Sequence, residues 1–111
     1  MTKQERERVA VDVIGRLRLC HLGRENAVKG KELIKIMQFD NMGTPELRTV
    51  INKARNLGYP IGSSPQDGYW YCENLTEVME VVKSLETRAK KILVASKKMV
   101  KACRGQCEFV Y

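Results

Sequence analysis

The stretch Gly43-Thr44-Pro45-Glu46-Leu47-Arg48-Thr49-Val50-Ile51-Asn52-Lys53-Ala54-Arg55-Asn56-Leu57-Gly58-Tyr59-Pro60-Ile61 decides the fold of this chain. It reads as a helix with both ends written locally, running into a short strand. Thr44 is placed to cap the first turn, and Pro45 suits the first helical position, where a missing N–H costs nothing. Gly58 supplies a left-handed stop. Between them Leu47, Val50, Ile51, Ala54 and Leu57 recur at spacings of three and four, so one stripe faces a core. The other face carries Arg48, Thr49, Asn52, Lys53, Arg55 and Asn56, the kinds of donor that grip phosphates and read base edges.

Working outward toward the N-terminus, Asn41-Met42-Gly43 is turn chemistry, and before it Leu33, Ile34 and Met37 predict a shorter helix beginning near Lys31. The polar segment from His21 to Lys29 is a connector, in which Ala27 and Val28 fit a short edge strand. Thr2 with Glu5 three residues on fits a capping box, and Val9, Ala10, Val13, Ile14, Leu17 and Cys20 make a helical stripe over residues 3 to 21. Toward the C-terminus the period changes to two. Tyr59 to Ser63 and Gly68 to Cys72 read as strands joined by Ser64-Pro65-Gln66-Asp67, with Asp67-Gly68 as the turn signal. Alternation places Tyr69 and Tyr71 on one side, Trp70 and Cys72 on the other, with one side sealing the helical core. These aromatics are expected to pack, in preference to the alternative of a base-stacking platform, because a small domain needs such large side chains. The fold class expected is mainly α with a small β-hairpin.

The last element is long. Leu75, Val78, Val82, Leu85, Ala89, Ile92, Ser96, Met99 and Cys103 repeat at alternating three and four, with no Gly or Pro between Leu75 and Arg104. Met79, Leu93 and Val100 widen the stripe. About 28 helical residues span roughly 42 Å, against a diameter of about 30 Å for a globule of about 72 residues. The helix is therefore expected to overhang its own domain and to pair with the same helix of a second copy. The other reading is a break near Glu86 to Arg88 and a fold back. The organisation expected is a domain over residues 1–73, a basic helix over 74–104 acting in dimerisation, and a tail over 105–111.

A chain of 111 residues has room for one compact domain plus an appendage, and not for a large catalytic cavity. Twenty Lys and Arg against thirteen Asp and Glu give a net charge of +7. Residues 1–58 hold twelve basic and seven acidic groups, residues 59–82 none and four, and residues 83–111 eight and two. Two basic regions flanking an acidic middle suit a polyanionic partner, with a solvated basic face as the alternative. No apolar run approaches a membrane span, and the charged N-terminus is unlike a signal peptide. Cys20, Cys72, Cys103 and Cys107 are read as reduced thiols of a cytoplasmic protein. Cys103-x-x-x-Cys107 invites a zinc reading, but its spacing departs from the common pattern and only Cys20, His21 and Cys72 remain to complete four ligands, so no metal is expected. His21 fits a helix-end residue. No nucleophile with a base, carboxylate dyad or glycine-rich phosphate loop appears, and neither catalysis, a cofactor nor a small-molecule ligand is expected.

Taken together, Gly30-Lys31-Glu32-Leu33, Thr44 to Leu57, Gly58-Tyr59-Pro60-Ile61 and Gly68-Tyr69-Trp70 resemble the winged helix-turn-helix of the biotin operon repressor and related regulators. The arrangement is similar also to small DNA-binding proteins of phages and prophages whose C-terminal helix is long and basic. No ligase or effector-binding domain follows, so the enzymatic half of the biotin regulator is not implied. The resemblance covers residues 5 to 72, with the helix appended. It implies a double-stranded DNA partner, a helix 44–57 in the major groove, and service as a transcription regulator or in a phage DNA transaction.

With its N-terminal half nearest the bases, Thr44, Arg48, Thr49 and Asn52 are the first candidates for base contact. Arg suits guanine and Asn adenine. Glu46 can accept from a cytosine amino group or favour the helix N-terminus by its charge. Lys53, Arg55 and Asn56 lie toward phosphates, and Lys29 and Lys31 mark a second phosphate site. The hairpin tip from Gly62 to Asp67 lacks the Lys or Arg that many wings carry, which leaves hydrogen bonds from Ser63, Ser64 or Gln66. The lysines of the last helix track a DNA backbone or solubilise a coiled-coil exterior. The competing class of function is a winged-helix protein-interaction or assembly module with weak or sequence-blind DNA binding.

Overall fold

The structure, a computed structural model, describes residues 2–110, with side chains as far as Arg104. Its elements run α1 (Lys3–Cys20), a 3-10 turn (Arg24–Asn26), α2 (Gly30–Ile36), α3 (Thr44–Asn56), β1 (Ile61–Ser64), β2 (Gly68–Tyr71) and α4 (Leu75–Val110). The fold is mainly α with a two-stranded antiparallel hairpin and a long C-terminal helix. Helices followed by such a hairpin are an arrangement compatible with a winged helix. The chain divides into two units, residues 1–79 and 80–111.

In the first unit the apolar stripes meet as their spacing demands. Ala10, Val13, Ile14 and Leu17 of α1, Leu33 of α2, Leu47, Val50, Ile51 and Ala54 of α3, and Ile61 of β1 form one buried cluster with Val28 and Met42. Each fully buried Leu, Ile or Val contributes roughly 1.5–3 kcal/mol, so the α1–α2–α3 packing is the main source of this unit's stability. Cys20, the last position of the α1 stripe, is exposed.

The helix ends follow local chemistry, with two corrections. In α1 the capping box is complete: Glu5 N–H donates to Thr2 Oγ1 at 3.2 Å and Thr2 N–H to Glu5 Oε2 at 3.3 Å. In α3 the cap position belongs to Gly43 and not to Thr44, which is the first helical residue, with Pro45 the second. The reason is Glu46, whose carboxylate accepts the Gly43 N–H at 2.9 Å and so ties down the residue one position earlier. At the other end Gly58, with φ +100°, closes a Schellman motif in which Tyr59 N–H donates to Ala54 O and Gly58 N–H to Arg55 O. Leu57 thereby falls past the helix and stays exposed. Because the Tyr59 amide is spent on that cap, β1 starts at Ile61, two residues later than the alternation predicts.

The α2–α3 connection uses the same device without glycine. Gln38 N–H donates to Lys35 O and Phe39 N–H to Ile34 O, with Gln38 held at φ +54°, and Asn41 follows at φ +58°.

In the hairpin Ile61 pairs with Tyr71, Gly62 with Trp70, Ser63 with Tyr69 and Ser64 with Gly68. Ile61, Tyr69 and Tyr71 pack on the helical core. On the opposite face the Trp70 ring lies over Gly62, where a Cβ would overlap the indole. The second edge of β2 is covered by the connector: Val28 and Tyr69 exchange two bonds of 2.8 Å, Tyr71 N–H donates to His21 O, and Gly23 N–H donates to Tyr71 O. The edge strand expected at Ala27–Val28 is thus a single bridge at Val28, with a second at Leu22. Gly68, at φ +94°, approaches the Val28 carbonyl so closely that no Cβ fits.

Helix α4 begins at an Asn74 cap, whose Oδ1 accepts the Glu77 N–H at 3.0 Å. Glu77 reaches back to the Glu73 N–H and to the Arg24 N–H. The helix is unbroken at Glu86–Arg88 and continues through Gly105 to Val110, beyond the end expected at Arg104. An internal Gly costs a helix only about 1 kcal/mol relative to Ala.

Candidate nucleic-acid interface

At about 100° per residue, burying Leu47, Val50, Ile51 and Ala54 turns Pro45, Thr49, Asn52 and Asn56 directly away from the core. Arg48 and Arg55 lie on one flank of that outward face, and Glu46 and Lys53 on the other. Arg48, Thr49, Asn52 and Asn56 are exposed. Among the described residues no intramolecular partner engages the side chains of Arg48, Asn52 or Asn56. The Thr49 hydroxyl donates to Pro45 O at 3.2 Å, which leaves its lone pairs outward.

Arg55, Ser63, Ser64, Glu46 and Lys29, all expected to touch a ligand, are committed within the molecule. Arg55 is half-buried; its Nε donates to Ile61 O at 2.8 Å and its Nη2 to Ser63 Oγ at 2.9 Å. It fastens α3 to β1 and occupies the Ser63 hydroxyl. Ser64 Oγ accepts the Asp67 N–H at 2.9 Å and donates to Asp67 Oδ2 at 3.1 Å, closing the turn. Glu46 serves the α3 cap, in keeping with its role at the helix N-terminus. Lys53 is half-buried and stands 3.5 Å from Glu7 Oε1 of α1, a long contact that leaves most of its charge to solvent. Thr44, as the first residue of α3, is half-buried.

The hairpin tip is electrostatically richer than its own residues indicate. Lys29 Nζ donates to the carbonyls of Pro65 and Gln66. Arg24, a residue that neither periodicity nor motif singles out, forms a 2.8 Å ion pair with Asp67 and lies 5.3 Å from the centre of the Trp70 ring. The Arg24 guanidinium is the main reason that the Asp67 carboxyl sits below its ordinary 3.8, with the Ser64 hydroxyl second. The only sequence signal for Arg24 was a basic residue in a connector beside a strand, which is shared by many surface positions. Lys29 therefore leaves the α2 N-terminus, where the Lys29–Lys31 pair was expected to act together; Lys31 is exposed with no intramolecular partner among the described residues.

Cys72 and His21 take structural places. Burial, and secondarily the Glu77 carboxylate, pushes the Cys72 thiol up, so it stays protonated at neutral pH. His21 closes α1 as its C-cap, with Nδ1 2.8 Å from Asn26 O and Nε2 3.4 Å from Arg16 Nε. Cys107, the second member of the Cys103-x-x-x-Cys107 pair, lies outside the described side chains.

Along α4 the stripe positions Val78, Val82 and Leu85 are half-buried, whereas Leu75, Ala89, Ile92, Ser96, Met99 and Cys103 are exposed. Among the described residues no helix is long and apolar enough to cross a membrane. Comparison of the chain with known protein families, curated proteins and solved structures found no match.

Proposed function

We propose that this protein binds double-stranded DNA in a sequence-specific way, as a homodimer, with α3 in the major groove. The observation that carries the reading is the outward face of α3. Arg48, Asn52 and Asn56 stand exposed and, among the described residues, unengaged on a helix braced by α1 on one side and by the Arg55 clamp on the other. Arg48 suits a guanine edge and Asn52 an adenine edge, each bidentate pair discriminating by roughly 1–3 kcal/mol. Thr49 and Asn56 extend the same face. Lys53 and Lys31 serve phosphates, and the exposed α4 stripe joins two copies. The role is that of a regulator or a DNA-transaction accessory, and not of an enzyme.

The test is selection of duplexes from a random pool, followed by titration at two salt concentrations. Arg48→Ala and Asn52→Ala are expected to lower the preference for the selected site by about 5- to 150-fold, the equivalent of roughly 1–3 kcal/mol, while Lys53→Ala weakens all duplexes alike. Equal affinity for every duplex before and after the Arg48 change contradicts the specificity claim.

A second reading, a winged-helix protein-interaction module, is favoured by the hairpin tip. Its two neighbouring cations, Arg24 and Lys29, face inward to Asp67 and to the turn carbonyls. A protein with no affinity for duplex at low salt supports this second reading.

A further inference from the structure

Helix α4 is electrically lopsided along its length. From Leu75 to Glu86 it carries Glu77, Glu80 and Glu86 against Lys83; from Thr87 to Arg104 it carries seven Lys and Arg and no acid. All described residues beyond Leu85 are exposed, among them Ile92 at 68 % and Met99 at 72 %. The heptad stripe runs through both halves, with Leu93 and Val100 broadening it in the basic half, while Lys90, Lys97 and Lys101 point to the opposite arc.

An anionic lipid surface suits the basic half alone, but the same stripe begins among glutamates that such a surface repels, and Val94 interrupts the lysine arc. A second copy of the helix matches the whole pattern, and in one orientation. Side by side in parallel, the two seven-charge segments would lie against each other. Head to tail, the glutamate-bearing start of each helix meets the lysine-rich end of the other, and the two like-charged segments move apart along the axis. Ala89 and Ser96 on the stripe, with Ala95 and Ala102 at its edge, let the two backbones approach closely. We infer that two copies pair through α4 in the antiparallel orientation. This rests on the dimer in the reading above and adds to it the direction of pairing, which places the two Asn74 caps at opposite ends of the helix pair.

The experiment uses the full chain with Cys20→Ser and Cys107→Ser, a nitroxide on the exposed Cys103, solution mass by light scattering, and the label-to-label distance by pulsed electron resonance. Pairing over Leu75–Cys103 separates the two Cys103 positions by roughly 42 Å, and pairing over Val82–Cys103 by about 32 Å, at 1.5 Å per residue. The expected result is a two-chain mass and a distance in that range, with Ile92→Glu reducing the mass to one chain while leaving the helical signal unchanged. A distance under about 20 Å, as parallel axes 8–10 Å apart require, overturns the orientation. A one-chain mass, a dimer that survives Ile92→Glu, or self-association that appears only on vesicles of anionic lipid overturns the pairing itself. Duplex titration of the same labelled protein is read separately: retained site preference with a short distance leaves the DNA reading standing and removes the antiparallel one.

Discussion

Arg48 and Arg55 are seven residues apart on one helix and share a flank, yet they have different work. Arg55 is within reach of the Ile61 carbonyl and the Ser63 hydroxyl and is drawn into the structure; Arg48, two turns earlier, meets no acceptor among the described residues and remains outward. Both were legible as donors on the polar face of α3. Which was engaged was not, because the acceptors belong to a strand whose position depends on the fold. The backbone imposes its own residue-level demands. Gly68 combines φ +94° with contact against the Val28 carbonyl, so Gly68→Ala is expected to cost about 2 kcal/mol or more and to lower the melting temperature. Gln38 shows the converse. It holds a left-handed φ of +54° at a helix C-terminus where glycine is preferred, and Gln38→Gly is expected to raise stability by about 0.5–1 kcal/mol, read as a shift in the urea midpoint at constant slope.

At the scale of elements, the position of α3 depends on three attachments: its apolar stripe against α1 and α2, the Glu46 cap at its start, and the Arg55 bonds to β1. Removing Arg55 leaves the Ile61 carbonyl without this charged donor on a half-buried strand. Arg55→Ala is expected to destabilise by about 1.5–3 kcal/mol, and amide exchange is expected to speed up in β1 more than in α1. Equal acceleration in both elements would show that the arginine acts on global stability alone. The hairpin has a similar logic. Its two strands pair with each other, and β2 also bonds to His21, Gly23 and Val28, so the connector acts as a third edge. The strand signal at Ala27–Val28 was visible in the β-branched valine; the 3-10 turn at Arg24–Asn26 precedes it, and the pairing there is a single bridge at Val28.

For the molecule as a whole, charge links the elements. The ion pair between Arg24 and Asp67 joins the connector to the hairpin tip, and Asp67 titrates below its ordinary value because the ionised form is held there. A depressed carboxylate contributes stability above its unfolded-state value and loses it as pH falls through the folded-state value. The hairpin tip is therefore expected to be insensitive to pH between 5 and 8, roughly the range in which proteins are most stable, and to loosen only below pH 3.8. Asp67→Asn should abolish that acid transition, as read by the fluorescence of Trp70, the chain's single tryptophan. Persistence of the transition in the variant would assign it to other carboxylates.

Helix existence, the caps of α1 and the glycine stop of α3, the hairpin with its alternating aromatics, and the long heptad stripe all depend on spacings within a few residues, and local spacing is what a sequence determines by itself. The polar face of α3 belongs to the same class, since a 3.6-residue period places Asn52 opposite Leu47 and Val50 whatever else the chain does. Tertiary structure decided which partners those local pieces found. Arg24 and Lys29 came to the hairpin tip from a distant connector, Val28 and Gly23 bonded to β2, and Arg55 and Ser63 took each other. Each of these is a contact between groups whose distance in space is set by packing of the apolar stripes, and a one-dimensional pattern contains that distance only through the fold it produces.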